Sequence, residues 1–172
     1  MWAARVDEGY LFGELTDDAV RTLRGVPMLI ESSDDRVRRR LLPETCHEEE
    51  DEAHWREHAV PELERLFLSR AHLVQRDLDK LRRLPDTEGQ VLLISHEHVN
   101  AWLAALNAAR LALYELNDLT AAHMETEGFS GASAKQQEAI IRISLLAEIQ
   151  AVLLGDFEVD DEDASADDLT EG

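Results

Sequence analysis

Two histidines in the first third of the chain have the spacing of a zinc-binding pair. His54 and His58 enclose Glu57 in the sequence His-Trp-Arg-Glu-His, the H-x-x-E-H order of inverted zinc peptidases. Residues four apart lie on one face of a helix, so both imidazoles can reach one zinc ion. Glu57 would then act as general base on the metal-bound water. The motif predicts zinc as a cofactor and hydrolysis as the reaction.

A zinc site of this kind needs a third protein ligand from another helix, for which Glu138 and Glu148 are the candidates. Against the zinc interpretation, the motif is short and follows the acidic run 48–52, which is typical of a solvated surface. Paired Cys-x-x-Cys spacing, the usual sign of structural zinc, is absent from the sequence. We therefore expect no cofactor and keep zinc as the alternative. Further potential ligands are Cys46, His47, His96 and His98.

A second candidate site depends on two arginines, Arg70 and Arg110, on the apolar stripes of two predicted helices. A buried guanidinium requires a carboxylate or several carbonyls, because an unpaired buried charge is strongly destabilising. Asn107 lies close to Arg110 in the sequence and could join the same polar network. The pattern predicts that each guanidinium forms a structural ion pair or extends to the solvent-exposed rim of the core. The alternative is an anion-binding pocket between the two helices, which Arg40 could also reach.

The charge balance argues against nucleic acid and anionic membranes as partners. The chain of 172 residues has 37 acidic and 17 basic residues, a formal net charge of −20, whereas phosphate contacts need clustered bases. No apolar run approaches the ~20 residues that cross a bilayer, and the N-terminus has no apolar signal core. The single cysteine fits a reducing compartment. We expect a cytoplasmic protein that binds a protein partner or forms a homodimer.

The acidic residues are concentrated at the C-terminus. Residues 156–172 contain nine acids and no base. Such a block repels itself and buries almost no apolar surface, so we expect a disordered acidic tail. The sequence thus predicts one α-helical domain over 1–155, followed by this tail over 156–172.

Turn and cap signals divide the first half of the domain into a small β element and several helices. Alternation around Gly9 and Gly13 predicts a short strand or hairpin over 2–15. Thr16 predicts the start of a helix that Gly25 and Pro27 should break or kink. Residues 32–35 are expected to form a loop or the cap of a short helix that ends near Leu42. Two further helices are expected, one from within Glu44–Glu52 through Trp55 and one from Pro61 to about Leu84.

The second half alternates one buried strand with helices. Val91–Ile94 is the predicted strand, and a helix is expected from Ser95 to about Asn117. Thr120 is a possible cap of a short helix, Gly128–Gly131 is expected to be a loop, and Ser133 predicts a final helix that ends at Gly155. The fold class is mainly α, a helical bundle with a small β strand or hairpin near the N-terminus. The last helix is apolar on most sides, which is typical of a central helix or a dimer interface.

Residues 99–116 (VNAWLAALNAARLALYEL) resemble the central helix of an uncharacterised bacterial family, domain of unknown function 2017. That helix reads roughly W-L-x-x-L-N-D-x-R-L-x-L, although Ala108 here stands where an aspartate is common. Residues 39–43 with Trp55-Arg56, and residues 145–154 with Gln150, resemble other parts of the family. The resemblance spans about residues 5–155. It implies a helical cytosolic protein without an assigned activity, and it does not include paired histidines. The matching positions in the central helix are Trp102, Leu103, Leu106, Asn107, Arg110, Leu111 and Leu113.

Three functions remain open at the level of sequence. The leading hypothesis is a non-enzymatic interaction or regulatory module, because no nucleophile elbow or phosphate-binding loop accompanies the acidic tail and the apolar last helix. The first alternative is a zinc-dependent hydrolase that uses His54, Glu57 and His58. The second alternative is an acidic mimic that binds a basic protein surface.

Overall fold

A three-stranded antiparallel sheet lies at the N-terminal end of the computed structural model, which describes residues 1–83 and 89–155. Strands β1 (Trp2–Val6) and β2 (Gly9–Leu15) form the hairpin expected over 2–15. Strand β3 (Gln90–Ser95) confirms the predicted strand and pairs with the free edge of β2. The hairpin is therefore not isolated, since the chain returns to it after four helices.

Helix α1 (Asp17–Ile30) starts at Thr16, whose Oγ1 accepts the N–H of Ala19 at 3.2 Å, as the cap signal predicts. The predicted break at Gly25 and Pro27 is wrong, because the helix continues to Ile30. Pro27 lies in the last turn, where the loss of one N–H removes only one helical hydrogen bond. Helix α2 (Asp35–Leu41) confirms the short helix expected to end near Leu42.

Helices α3 (Glu49–His58) and α4 (Val60–Leu78) follow in direct succession. Helix α4 was expected to extend to about Leu84, but it ends at Leu78. The backbone of Arg82 instead pairs with that of Val91, with N–H to O distances of 3.3 and 2.8 Å. Pairing next to the sheet thus replaces the last helical turns. The sequence predicts a turn over Asp86–Gly89, and this segment lies mostly outside the described residues.

Helix α5 (Val99–Leu116) has the same bounds as the segment that resembles a known family, and a 3-10 turn over His96–His98 precedes it. A second 3-10 turn, Ala121–Met124, precedes helix α6 (Thr126–Gly131). The expectation of a loop over 128–131 is therefore wrong. A Cβ at Gly128 would lie 1.8 Å from the carbonyl oxygen of Ala122, so this glycine allows close packing within a helix.

The final helix, α7 (Ala134–Leu154), is capped by Ser133 and stops at Gly155, which adopts a left-handed conformation with φ of 79°, as predicted. The central helix of the bundle is α5, which packs against α1, α2, α4 and α7. Its largest buried side chain is Trp102. Helix α7 packs on α5 and α1 and leaves Ile141 and Leu154 exposed.

Seven α-helices and one small sheet make up the described residues, which confirms the mainly α fold class. None of these helices is both long and apolar enough to span a membrane. The predicted acidic tail, residues 156–172, lies outside the part of the chain that the structure describes.

Candidate functional site

The three residues of the zinc motif are all exposed on α3. The ring centroids of His54 and His58 are 4.4 Å apart, so the two imidazoles do share one face of the helix. The Nε2 atom of His58 lies 4.0 Å from a carboxylate oxygen of Glu57. The two histidines therefore have the spacing that the zinc motif requires of its first two ligands.

The third ligand of the zinc motif is not brought close. Glu138 and Glu148 are exposed on α7, a helix that packs on α5 and α1, whereas α3 packs on α4. Within residues 1–83 and 89–155, no three His, Cys, Asp or Glu side chains are grouped as a metal site would require. A catalytic zinc ion normally has three protein ligands. The described residues provide two of them, His54 and His58.

Arg110 connects α5 with α7 rather than with α4. Its Nη1 atom donates to Oε1 of Gln150 at 2.6 Å, and the Nε2 atom of Gln150 donates to the carbonyl of Leu103 at 3.0 Å. The buried Nε atom of Arg110 has no hydrogen-bond partner among the described residues. The network joins α5 to α7, and the half-buried guanidinium bonds to an amide oxygen instead of the expected carboxylate or several carbonyls.

The other members of the predicted polar or anion site lie apart from this network. Asn107 is exposed, and Arg70 is half-buried. No hydrogen bond or ion pair among the described residues joins Arg70 or Asn107 to Arg110. Arg40 pairs with Glu115 at 3.5 Å, a contact between α2 and α5. An anion pocket built from Arg70, Asn107 and Arg110 stays a prediction.

The first half of α4 leaves two large apolar side chains exposed, Leu66 and Leu68. Residues 61–70 include none of the fully buried side chains of this helix, although four of the ten are large and apolar. Helix α3, which has no buried residue, folds against this half of α4. We name residues 49–70 the α3–α4 arm. The four apolar side chains of α4 in the arm are Leu63, Leu66, Phe67 and Leu68.

An open cleft of about 620 Å³ lies where α3 meets α4. Its floor is formed by Trp55, Leu63 and Leu66, and 43% of the Leu66 surface is exposed. The charged residues that line the cleft are Glu62 and Arg65. The stretch 48–65, to which most of the lining belongs, contains eight acids and two arginines. The apolar floor of the cleft therefore lies in a strongly acidic stretch of the chain.

Glu52 attaches the arm to the loop that precedes it. Its Oε2 atom accepts the backbone N–H of Thr45 at 2.9 Å and that of Cys46 at 3.0 Å. Its Oε1 atom lies 2.8 Å from Nε of Arg56, one turn further along α3. The N–H groups of Cys46 and Thr45, together with the charge of Arg56, hold the pKa of Glu52 below its ordinary value.

A buried carboxylate that the sequence analysis missed lies at the other end of α4. Asp77 is 2% exposed, and its Oδ2 atom lies 2.7 Å from Nδ1 of His98 and accepts the indole N–H of Trp102 at 3.0 Å. Its Oδ1 atom lies 3.3 Å from Nζ of Lys80. One signal was available, since Asp77 follows Val74 by three residues on the buried face of the helix. The partners could not be identified, because His98 lies in the 3-10 turn before α5 and Trp102 lies in α5, beyond an intervening strand.

Comparison with known proteins identifies the family of the chain. Comparison with curated proteins gives no match, and comparison with solved structures gives none either. The sequence pattern of one family, described as a domain of unknown function (DUF2017), matches residues 9–155. That match covers most of the chain, including every described helix and the strands β2 and β3. The chain therefore belongs to the DUF2017 family, whose description assigns no activity.

Proposed function

We propose that this protein is a non-enzymatic interaction module that binds a basic, amphipathic segment of a protein partner in the cleft of the α3–α4 arm. The observation that carries the proposal is the open apolar floor of Trp55, Leu63 and Leu66, within a stretch of chain, residues 48–65, that contains eight acids and two arginines. An exposed apolar patch of this kind, rimmed by polar residues, is typical of an interaction site.

The chemistry of the cleft defines the partner. Leucine or aromatic side chains of the partner would cover Leu63 and Leu66, as in complexes where an amphipathic helix enters a groove. Lysine or arginine side chains at the edges of that segment would face the acids of residues 48–65. The negative field of the molecule would speed the encounter with such a segment and oppose an acidic one.

The α3–α4 arm also gives the two histidines of the zinc motif a role that needs no metal ion. His54, Glu57 and His58 are exposed on the same helix as Trp55. Side chains in this position extend the polar rim of the cleft and can contact the partner. The zinc hydrolase is the weaker proposal, because the residues that the structure describes do not group a third ligand with the two imidazoles.

Binding of a labelled helical peptide made of leucine and lysine, followed by fluorescence anisotropy, tests the proposal. The full chain is expected to bind this peptide, and Leu66→Asp should weaken binding by about tenfold or more, because a charge replaces apolar floor. The matched control is Met28→Asp, since Met28 is 74% exposed on α1 and does not line this cleft. It should leave the affinity unchanged.

Two results would contradict the proposal. Equal binding by the Leu66→Asp variant, or by a peptide whose leucines are replaced by serine, would show that charge attraction alone holds the peptide. A homodimer that Leu66→Asp dissociates, measured by sedimentation equilibrium, would assign the cleft to a second copy of the chain instead of a basic partner. Circular dichroism of both variants confirms that they fold.

A further inference from the structure

A second cleft, separate from the α3–α4 arm, lies where the end of α4, strand β3 and the start of α5 meet. Its volume is about 370 Å³. Five of its seven lining side chains are polar or charged and three of these are potential cations, although the whole chain is strongly acidic. The lining residues are Asp77, Lys80, Arg82, Val91, Leu93, Ser95 and His98.

Asp77 fixes the orientation of His98 in this cleft. The carboxylate is acceptor-only, so the Nδ1 atom of His98 carries the proton of their 2.7 Å hydrogen bond. The second ring nitrogen, Nε2, is therefore the one that can meet a ligand. Trp102 donates to the same carboxylate oxygen from the buried side, which holds Asp77 in place. One carboxylate thus holds both a buried indole and an imidazole that lines the cleft.

Basic side chains gather beside this imidazole. Residues 76–83 contain four bases and two acids, a local excess of positive charge in a chain of net charge −20. Lys80 and Arg82 both line the cleft and are exposed, so their charged groups can reach a ligand. The negative charge of Asp77 is already matched, because its two oxygens face Lys80, His98 and the Trp102 indole.

We propose that this cleft binds the phosphoryl group of a phosphate monoester. The Arg82 guanidinium offers a fork of N–H donors, Lys80 offers a compact ammonium, and the imidazolium form of His98 donates from Nε2, a set that suits the several oxygens of a phosphoryl group. Val91 and Leu93 line the same cleft and provide apolar contact for the organic part of the ligand. Asp77 is a positioning residue here, since it acts through His98.

The test uses the full chain labelled with nitrogen-15 in histidine, titrated with inorganic phosphate and with phenyl phosphate at constant ionic strength. The His98 ring signals are assigned by their loss in the His98→Gln variant. We expect a saturable shift of these signals, with phenyl phosphate binding more tightly than inorganic phosphate because its ring covers Val91 and Leu93.

Substitutions at the cleft separate a built site from general charge attraction. Lys80→Gln and Arg82→Gln should each weaken binding by about tenfold, the effect expected for losing one charge-assisted contact. Arg83→Gln is the matched control, because Arg83 is adjacent and exposed, pairs with Asp17 at 3.3 Å and does not line the cleft. It should change the affinity less than twofold.

Three outcomes would overturn the proposal. The first is a His98 shift that does not saturate, and the second is a loss in Arg83→Gln as large as that in Arg82→Gln. The third is benzoate binding as tightly as phenyl phosphate, which would mean that the site does not select a phosphoryl group. Lys80 and Arg82 are exposed, and the unfolding midpoint of each variant confirms that the fold is kept.

Discussion

Glu52 shows how one carboxylate fixes the start of the α3–α4 arm. It accepts two backbone N–H groups from the loop before α3, at residues 45 and 46. The first turn of α3 contains four acids, Glu49 to Glu52, and these also favour the positive end of the helix dipole. Glu52 differs from the other three because it makes specific hydrogen bonds to a second segment of the chain.

The stability from Glu52 should disappear in acid. The pKa of Glu52 is lowered in the folded protein, so its contribution is complete above the ordinary value of 4.5 and is lost as the pH falls through the folded value. We expect the amide NMR signals of Thr45 and Cys46 to titrate together below about pH 4.5. The titration should vanish in Glu52→Gln and persist in Glu57→Gln, whose carboxylate is exposed on the same helix. Amide signals that titrate equally in both variants would exclude Glu52 as the cause.

Single side chains were the hardest feature to predict from sequence. The periodicity that places Arg110 on a buried stripe is local, but its partner, Gln150, is 40 residues away. Asp77 contacts side chains 21 and 25 residues further along the chain, across an intervening strand. A sequence shows that a buried charge needs a partner, whereas the partner is set by how helices pack.

Helix boundaries follow local chemistry where a cap residue is present. Thr16, Ser133 and Gly155 were predicted correctly, because each satisfies backbone groups of its own helix. The end of α4 was misplaced because Arg82 pairs with a strand that comes later in the sequence. Helix α6 was missed because Gly128 was interpreted as a turn residue, whereas it makes room for the carbonyl of Ala122.

Gly9 controls how closely β2 approaches β3. A Cβ at this position would lie 2.0 Å from the carbonyl oxygen of Ile94 and 2.7 Å from Cα of Ser95, so the two strands would have to separate. We expect Gly9→Ala to lower the free energy of unfolding by about 1–3 kcal/mol, measured by urea denaturation.

Gly131→Ala is the control for this substitution. A Cβ at Gly131 meets no atom within 4 Å, and the residue ends α6. Its stability should stay the same or rise by up to about 1 kcal/mol, because alanine favours a helix more than glycine does. Equal losses of unfolding free energy in the two variants would mean that the close approach of Gly9 to β3 does not cause the destabilisation.

The net charge of −20 acts on the molecule as a whole. Like charges in a compact protein repel, and salt reduces this repulsion, with a Debye length that falls from about 30 Å at 0.01 M to about 3 Å at 1 M. We expect the midpoint of thermal unfolding to rise as potassium chloride is added over this range. The surface ion pairs, such as Arg38 with Glu64, are too weak individually to reverse the trend.

A variant with fewer charges provides the control for the salt effect. Replacing the nine acids of residues 156–172 by amides leaves 28 acids against 17 bases, a net charge of −11. Its unfolding midpoint should depend less on salt than that of the natural chain. A midpoint that falls with salt in the natural chain would show that attractive pairs outweigh repulsion.

The strand order of the sheet delays the pairing of β2 while the protein is being synthesised. Strand β2 ends at Leu15, but the partner for its second edge, β3, is complete only at Ser95. Ribosomes add about 5–20 residues per second, so a growing chain waits roughly 4–16 s for this partner. During that interval one edge of β2, which contains Phe12 and Leu15, has no strand to pair with and can join another chain. Early packing of α1, which follows β2 directly in the sequence, would bury Phe12 and Leu15 before the third strand is made.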